Sequence, residues 1–214
     1  MAASAKLAEL RRKLAERFPS VPRTAARVWP TGIAALDQAT GGLPLSAITE
    51  IVCAAPSCGG HLLLVQLLAR TRATRTRVAL VDSTNGFDPA SVEEDLLAHL
   101  LWVRCRGMHQ ALQAADLLAR DANLGFVVLD LRRAPESDLR RIPGPQWYRL
   151  QRAVEPTDLA LVVETPRPSV PSAQVRFALR SSHVFAVLER ERATLTAELA
   201  PALQRQRQQI ASAG

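Results

Sequence analysis

Ile48-Thr49-Glu50-Ile51-Val52-Cys53-Ala54-Ala55-Pro56-Ser57-Cys58-Gly59-Gly60-His61 is the stretch on which the fold turns. Residues 48–52 form a short apolar run, the mark of a buried strand, and the glycine-containing turn at 57–60 opens a helix from His61 to about Ala69. A strand, a tight turn and a helix in that order let backbone N–H groups and a helix N-terminus cradle phosphate. The working pattern is G-x-x-x-x-G-K-[ST]. Its first glycine permits the turn, its lysine charges the outer phosphates and its hydroxyl binds magnesium. The octet 54–61 retains only Gly59 at a defining position. Ala54 stands at the first glycine, Ser57 at a variable position, Gly60 at the lysine and His61 at the hydroxyl. Loss of the lysine removes a strong charge-assisted contact, and loss of the hydroxyl as well leaves little to stabilise phosphoryl transfer. Taken alone, the octet is a poor match to the motif, and an ordinary strand–turn–helix is the better reading.

Working outward, strands are expected at 78–81, running into Asp82, at 100–105, at 125–131 around Asp130, and at 159–163. Helices are expected at 90–99, 108–121 and 145–154. This alternation predicts an α/β fold, with a mostly parallel sheet, helices on both faces and antiparallel strands toward the C-terminus. Residues 23–47 read as loop, with Thr31-Gly32 and Gly41-Gly42-Leu43-Pro44 as turn signals. The Pro-rich stretch 165–172 excludes a regular element. Residues 175–180 and 183–189 read as an extended pair, and 194–199 as a further strand. Three parts result: an N-terminal amphipathic helix and linker over 1–22, a core over 23–200, and a Gln/Arg-rich tail over 201–214 that is either helical or disordered. In the first part, Leu7, Leu10, Leu14 and Phe18 share one face of a helix over 3–18.

At 214 residues, 48% hydrophobic and 22% charged, the chain can build one domain with a substantial core. No apolar run reaches the roughly 18–20 residues that span a bilayer, and the charged N-terminus does not resemble a secretory signal. A cytoplasmic, nucleoid-associated protein without membrane contact is the expectation. Cys53, Cys58 and Cys105 fit no common zinc spacing and read as free structural thiols, so no metal is expected. The net charge of +7 is nearly all arginine; an anionic partner and a GC-rich genome both account for it.

From Thr31 to about Val187 the chain resembles the RecA-type recombinase core. The resemblance is carried by Thr31-Gly32, Leu36-Asp37, Gly41-Gly42-Leu43-Pro44, Glu50-Ile51, Val81-Asp82 with Phe87-Asp88-Pro89, and Phe126-Val127-Val128-Leu129-Asp130. It implies a RecA-like phosphate-loop core with Asp130 as the Walker B aspartate. The family's catalytic glutamate position is occupied by Thr84, so a carboxylate to polarise water is missing there. The segments matching the family's two DNA-binding loops are short. A small RecA-like chain with a broken phosphate loop is similar to the ImuA family of translesion-synthesis accessory proteins, to which Trp147-Tyr148-Arg149-Leu150 also points. Gly60 and His61 in place of the lysine and hydroxyl, with Thr84 at the glutamate position, lead to the expectation of no ATP cofactor and no catalysis. The resemblance to the ImuA family implies a part in the SOS response and damage-induced mutagenesis. The implied partners are RecA, an ImuB-type Y-family-like protein and a C-family DNA polymerase.

Each candidate has two readings. Asp130 either holds magnesium or is a strand-end residue satisfied by its neighbours. His61 either meets phosphate or is a plain helix-start residue. Arg132, Arg133, Arg140, Arg141, Arg149 and Arg152 either contact DNA phosphates or an acidic partner, or form a solvated basic face. Trp147 either stacks on bases or packs on the sheet. The Leu7, Leu10, Leu14 and Phe18 face either docks on RecA or another partner, or covers its own core. An atypical RecA-like ATPase and a DNA-binding regulator of recombination stand as alternatives.

Overall fold

The computed structural model describes residues 27–180 and 183–207. The helix expected over 3–18, with Leu7, Leu10, Leu14 and Phe18, lies outside the described residues, as does the tail beyond 207. In chain order the elements are β1 (Val28–Trp29), α1 (Ala34–Thr40), β2 (Leu43–Pro44), β3 (Ala47–Cys53), α2 (Gly60–Ala73), β4 (Val78–Asp82), α3 (Glu94–Leu97), β5 (Leu100–Arg104), α4 (Met108–Leu118), β6 (Phe126–Asp130), α5 (Glu136–Arg141), α6 (Gly144–Val154), β7 (Ala160–Thr165), β8 (Val175–Leu179), α7 (Arg192–Ala197) and β9 (Ala202–Gln206).

Seven strands form one sheet in the order β5-β4-β6-β7-β3-β8-β9. Every pairing is parallel except that of β8 with β9. The α/β class, the parallel sheet and the antiparallel C-terminal strand match the sequence expectation. Successive strand residues serve opposite faces, as the two-residue period of a strand requires. Val78, Leu80, Phe126, Val128, Ala160 and Val162 join α1 and α2 in one apolar layer. Ala79, Val81, Val127, Leu129, Leu161 and Val163 join α4, α5 and α6 in the other. Continuous apolar runs, rather than alternation, are what a sheet covered on both faces needs.

Four expectations are corrected. Residues 34–40 are helical, not loop: Ile33 and Leu36 are buried on the first layer, and Gly41 ends the helix at φ +76°. The helix expected at 90–99 is a 3₁₀ turn over Pro89–Ser91 followed by the single turn α3, because extended Val92 interrupts it. Residues 185–189 form a 3₁₀ helix rather than a strand, and β8 pairs instead with β9, drawn from the stretch read as tail. The strand expected at 194–199 falls on the end of helix α7 and the residues just after it; Leu195 on the helix and Leu199 beyond it are both buried.

Candidate functional site

The segment that leads into β3 is held by one carboxylate. Asp37 accepts from Thr31 N (2.9 Å), Thr31 Oγ1 (2.8 Å) and Gly32 N (2.8 Å). Gln66 of α2 donates to Thr31 O at 3.0 Å, and a Cβ on Gly32 would lie 2.6 Å from Gln66 Nε2. The Thr-Gly…Leu-Asp motif thus seats the lead-in against the helix that follows the phosphate loop; its role here is packing.

β3, β6 and β7 end beside one another, so their C-terminal residues meet below the loop. Asp130 and Glu164 are direct neighbours across β6 and β7, and Ile51 of β3 is level with Glu164. C-terminal strand ends are where open α/β sheets place ligands. Here the position is filled by the chain itself. Arg132 Nη2 lies 2.6 Å from Asp130 Oδ2, its Nε donates to Asp130 Oδ1 at 3.0 Å, and Nε is also 3.0 Å from Glu164 Oε2. The Arg132 backbone N–H completes the grip on Asp130 Oδ1 at 2.9 Å. Glu164 is fully buried and Asp130 nearly so.

The guanidinium lies over the start of α2. A Cβ built on Gly60 would come within 2.8 Å of Arg132 Nη1 and 3.0 Å of Cys53 Sγ. Glycine at the position of the loop lysine is therefore the residue that leaves room for Arg132. Two carboxylates and one arginine are unequally matched, and the consequence falls on Glu164. Burial pushes its carboxyl up to about 8, with Arg132 opposing and Asp130 adding to the rise. The same two carboxylates hold Arg132 protonated.

The loop is also covered from outside. Gly59 caps α2 at φ +98°, and a Cβ there would lie 2.5 Å from Leu199 Cδ2. His183 N–H donates to Ser57 O at 3.2 Å, and Arg192 of α7 donates to Ser91 O at 2.7 Å. His61 is hydrogen-bonded to Ser91 Oγ at 3.0 Å, and burial first, then Arg132, holds its imidazole below its ordinary value. A cleft of about 740 Å³ remains between the loop, Arg132, Arg133 and the segment around His183. Thr84 lies in a turn organised by Asp82, which accepts from the N–H groups of Thr84, Gly86 and Phe87 at 2.9–3.2 Å. Among the described residues no group of three or more His, Cys, Asp or Glu side chains is placed to hold a metal ion.

The six arginines of the sequence reading separate. Arg132 belongs to the buried cluster, which corrects its reading as a surface contact, and Arg133 reaches the cleft near Gly86. Arg140 and Arg141 lie on α5, beside Glu136 (2.6 Å) and Asp138 (3.9 Å). Arg149, with Arg120, grips Asp116 at 2.8 and 3.0 Å, and Arg152 lies with both along a shallow groove. Trp147 is 2% exposed and packs in the second core layer, so it offers no stacking surface; Tyr148 beside it is 43% exposed.

Sequence reasoning missed Glu50. Buried on β3, it accepts from Thr165 Oγ1 (3.0 Å), Ser169 N (2.6 Å) and Val170 N (3.1 Å), and it pairs with Arg176 of β8 at 2.5 Å. A glutamate in the middle of a buried strand was the available signal, because such a charge requires a partner.

This strand–loop–helix beneath a parallel sheet defines a RecA-like α/β core, and the comparisons agree. The chain is 35% identical to protein RecA of Methylococcus capsulatus over 130 residues, 58% of this chain and 37% of that one. It is 32% identical to protein RecA of Clavibacter michiganensis over 142 residues (63% and 39%), and 30% identical to that of Thermus thermophilus over 148 residues (63% and 41%). The chain thus spans about two fifths of the length of these relatives. No family model matches it. No helix among the described residues is long and apolar enough to cross a membrane.

Proposed function

We propose that this chain is a non-catalytic RecA-like accessory protein of the ImuA kind, serving damage-induced translesion DNA synthesis by binding RecA and an ImuB-type polymerase relative. One observation carries the reading: Arg132 occupies the space over Gly60 and engages both Asp130 and Glu164. Magnesium would have to displace a buried arginine from Asp130, and a lysine side chain at position 60 would collide with it. Backbone N–H groups at the start of α2 remain, but with neither lysine nor hydroxyl they offer phosphate neither a formal positive charge nor a magnesium ligand. The cover provided by Leu199 and His183 supports the same reading, in which ATP is neither bound nor hydrolysed. A RecA-like frame that has closed its own reaction centre is useful through its surfaces.

RecA is named as partner on the similarity to RecA proteins, and the ImuB-type protein and the C-family polymerase on the resemblance to ImuA. Co-purification of the full chain with RecA and with an ImuB-type protein from the same organism tests the assignment. Retention of either supports it; retention of neither contradicts it. DNA binding through Arg133, Arg140, Arg141, Arg149 and Arg152 is a separate reading, favoured by the exposure of these side chains. It requires affinity that falls steeply with salt.

A further inference from the structure

α4 runs beside the corner where α5 gives way to α6, and two hollows of about 520 and 640 Å³ open along this seam. Pro143 lines both, so they adjoin as one groove. From Met108 to Arg120 the groove follows α4 for roughly 18 Å, at a rise of about 1.5 Å per residue. Its floor is aliphatic, with Met108, Leu112 and Ile142 in the first hollow. Its ends are basic. Arg106 and Arg141 stand at one, with Asp138 between them as the one carboxylate among the described lining residues. Arg120, Arg149 and Arg152 stand at the other. Two of these three are held in place from below. Asp116, 5% exposed, accepts from Arg149 Nη2 at 2.8 Å and Nε at 3.2 Å, and from Arg120 Nη2 at 3.0 Å. Both arginine side chains nevertheless stay more than half exposed. One buried carboxylate thus fixes two guanidinium groups and leaves some of their N–H donors open to a solute. Arg152, exposed and one turn from Arg149 on α6, adds a third charge.

We infer that this groove docks a short acidic segment of a partner protein, an extended stretch of about six residues with carboxylates toward both ends and apolar side chains between them. Charge complementarity selects the ends. Arginines outnumber carboxylates at both, and a planar guanidinium matches a carboxylate through two hydrogen bonds at once. The aliphatic floor selects the middle, where an apolar side chain leaves water. A nucleic-acid strand fits less well. No Phe, Tyr or Trp lines either hollow, so bases have no ring to stack on, and Asp138 at the rim opposes phosphate. This gives the accessory reading a docking surface and a partner chemistry, and rests on that reading only for the need of a partner.

The experiment is fluorescence anisotropy of the full chain with a labelled peptide, Glu-Asp-Leu-Leu-Asp-Glu. Its controls are Gln-Asn-Leu-Leu-Asn-Gln, Glu-Asp-Ser-Ser-Asp-Glu and a single-stranded oligothymidylate. The acidic apolar peptide should bind saturably, and roughly tenfold or more tightly than either control peptide. Arg106→Glu and Arg152→Glu, both at exposed positions, should each weaken it roughly tenfold, whereas Arg72→Glu on the opposite face of the sheet should leave it within about twofold of wild type. Circular dichroism of each variant confirms that it is folded. Equal affinity for the amide or serine peptide would overturn the inference, as would binding indifferent to Arg106→Glu and Arg152→Glu. Oligothymidylate bound more tightly than the peptide, and lost in the same two variants, would make the groove a nucleic-acid surface instead. Peptide binding can fail while co-purification with RecA or an ImuB-type protein succeeds, and the reverse, so the two readings are tested separately.

Discussion

Two buried arginine–carboxylate clusters sit on opposite faces of the same sheet, and they are built differently. Glu50 on β3 is matched: three N–H or O–H donors and Arg176 converge on one carboxylate. Arg132 is outnumbered, facing Asp130 and Glu164 together. The first cluster fixes the connector after β7, the segment that resembles the family's second DNA-binding loop. Arg205 of β9, the register partner of Arg176, holds the same connector by donating to the carbonyls of Val170, Pro171 and Ala173. The second cluster fills the C-terminal ends of β6 and β7, beside the start of α2. A satisfied charge cluster behaves as a structural pin, whereas one with a surplus carboxylate keeps a pH-dependent strain.

The largest effect is expected at the matched cluster. Glu50→Ala leaves Arg176 without its carboxylate and the Ser169 and Val170 N–H groups without their acceptor, and should cost about 3–5 kcal/mol, read as a fall in denaturant midpoint. A loss under about 1 kcal/mol would remove the distinction between the clusters. Arg132→Met comes next. It leaves two adjacent buried carboxylates, which repel unless one takes a proton. The loss should therefore be larger at pH 8 than at pH 5, on the order of 3 kcal/mol at the higher pH. Denaturation curves at both pH values decide this, and a pH-independent loss would count against it.

The wild type carries the same sign in weaker form. The Glu164 carboxyl is raised in the folded state to about 8, above its unfolded value near 4.5. Its contribution is fully present below about 4.5 and is lost as pH climbs toward 8. Glu164→Gln should flatten that slope, which stability measured between pH 5 and 8 would reveal. Gly60→Ala places a methyl against Arg132 and should cost about 1–3 kcal/mol. The cost should shrink when Arg132 is already alanine, so a double-mutant cycle that came out additive would break the proposed fit of Gly60 to Arg132. At the small end, Arg140→Ala removes an exposed pair with Glu136 and should leave the melting temperature unchanged.

The core strands were legible because they are covered on both faces. Phe126-Val127-Val128-Leu129 and Leu161-Val162-Val163 are apolar throughout and rich in β-branched residues, the composition of a strand covered on both faces. The loop was legible as a loss, since each missing side chain had a known task. What filled the loss was not. Arg132 read as one of six basic residues after Asp130, and nothing local says that its side chain turns back onto the aspartate two residues earlier. Trp147, beside exposed Tyr148, was open to two readings because its helix presents one face to the core and one to solvent. The C-terminal errors have a common origin. β9 and α7 owe their places to contacts with β8 and α2, far away in sequence, and a polar stretch such as Leu203-Gln204-Arg205-Gln206 carries no periodic signal of an edge strand.

The account rests on a phosphate loop closed by its own arginine, and calorimetric titration of the full chain with magnesium–ATP measures that most directly. No saturable heat up to millimolar nucleotide is the predicted result, with Arg132→Met no better than wild type because lysine and hydroxyl are still missing. Saturable binding by the wild type, abolished by substitution at Gly60 or Asp130, would contradict it.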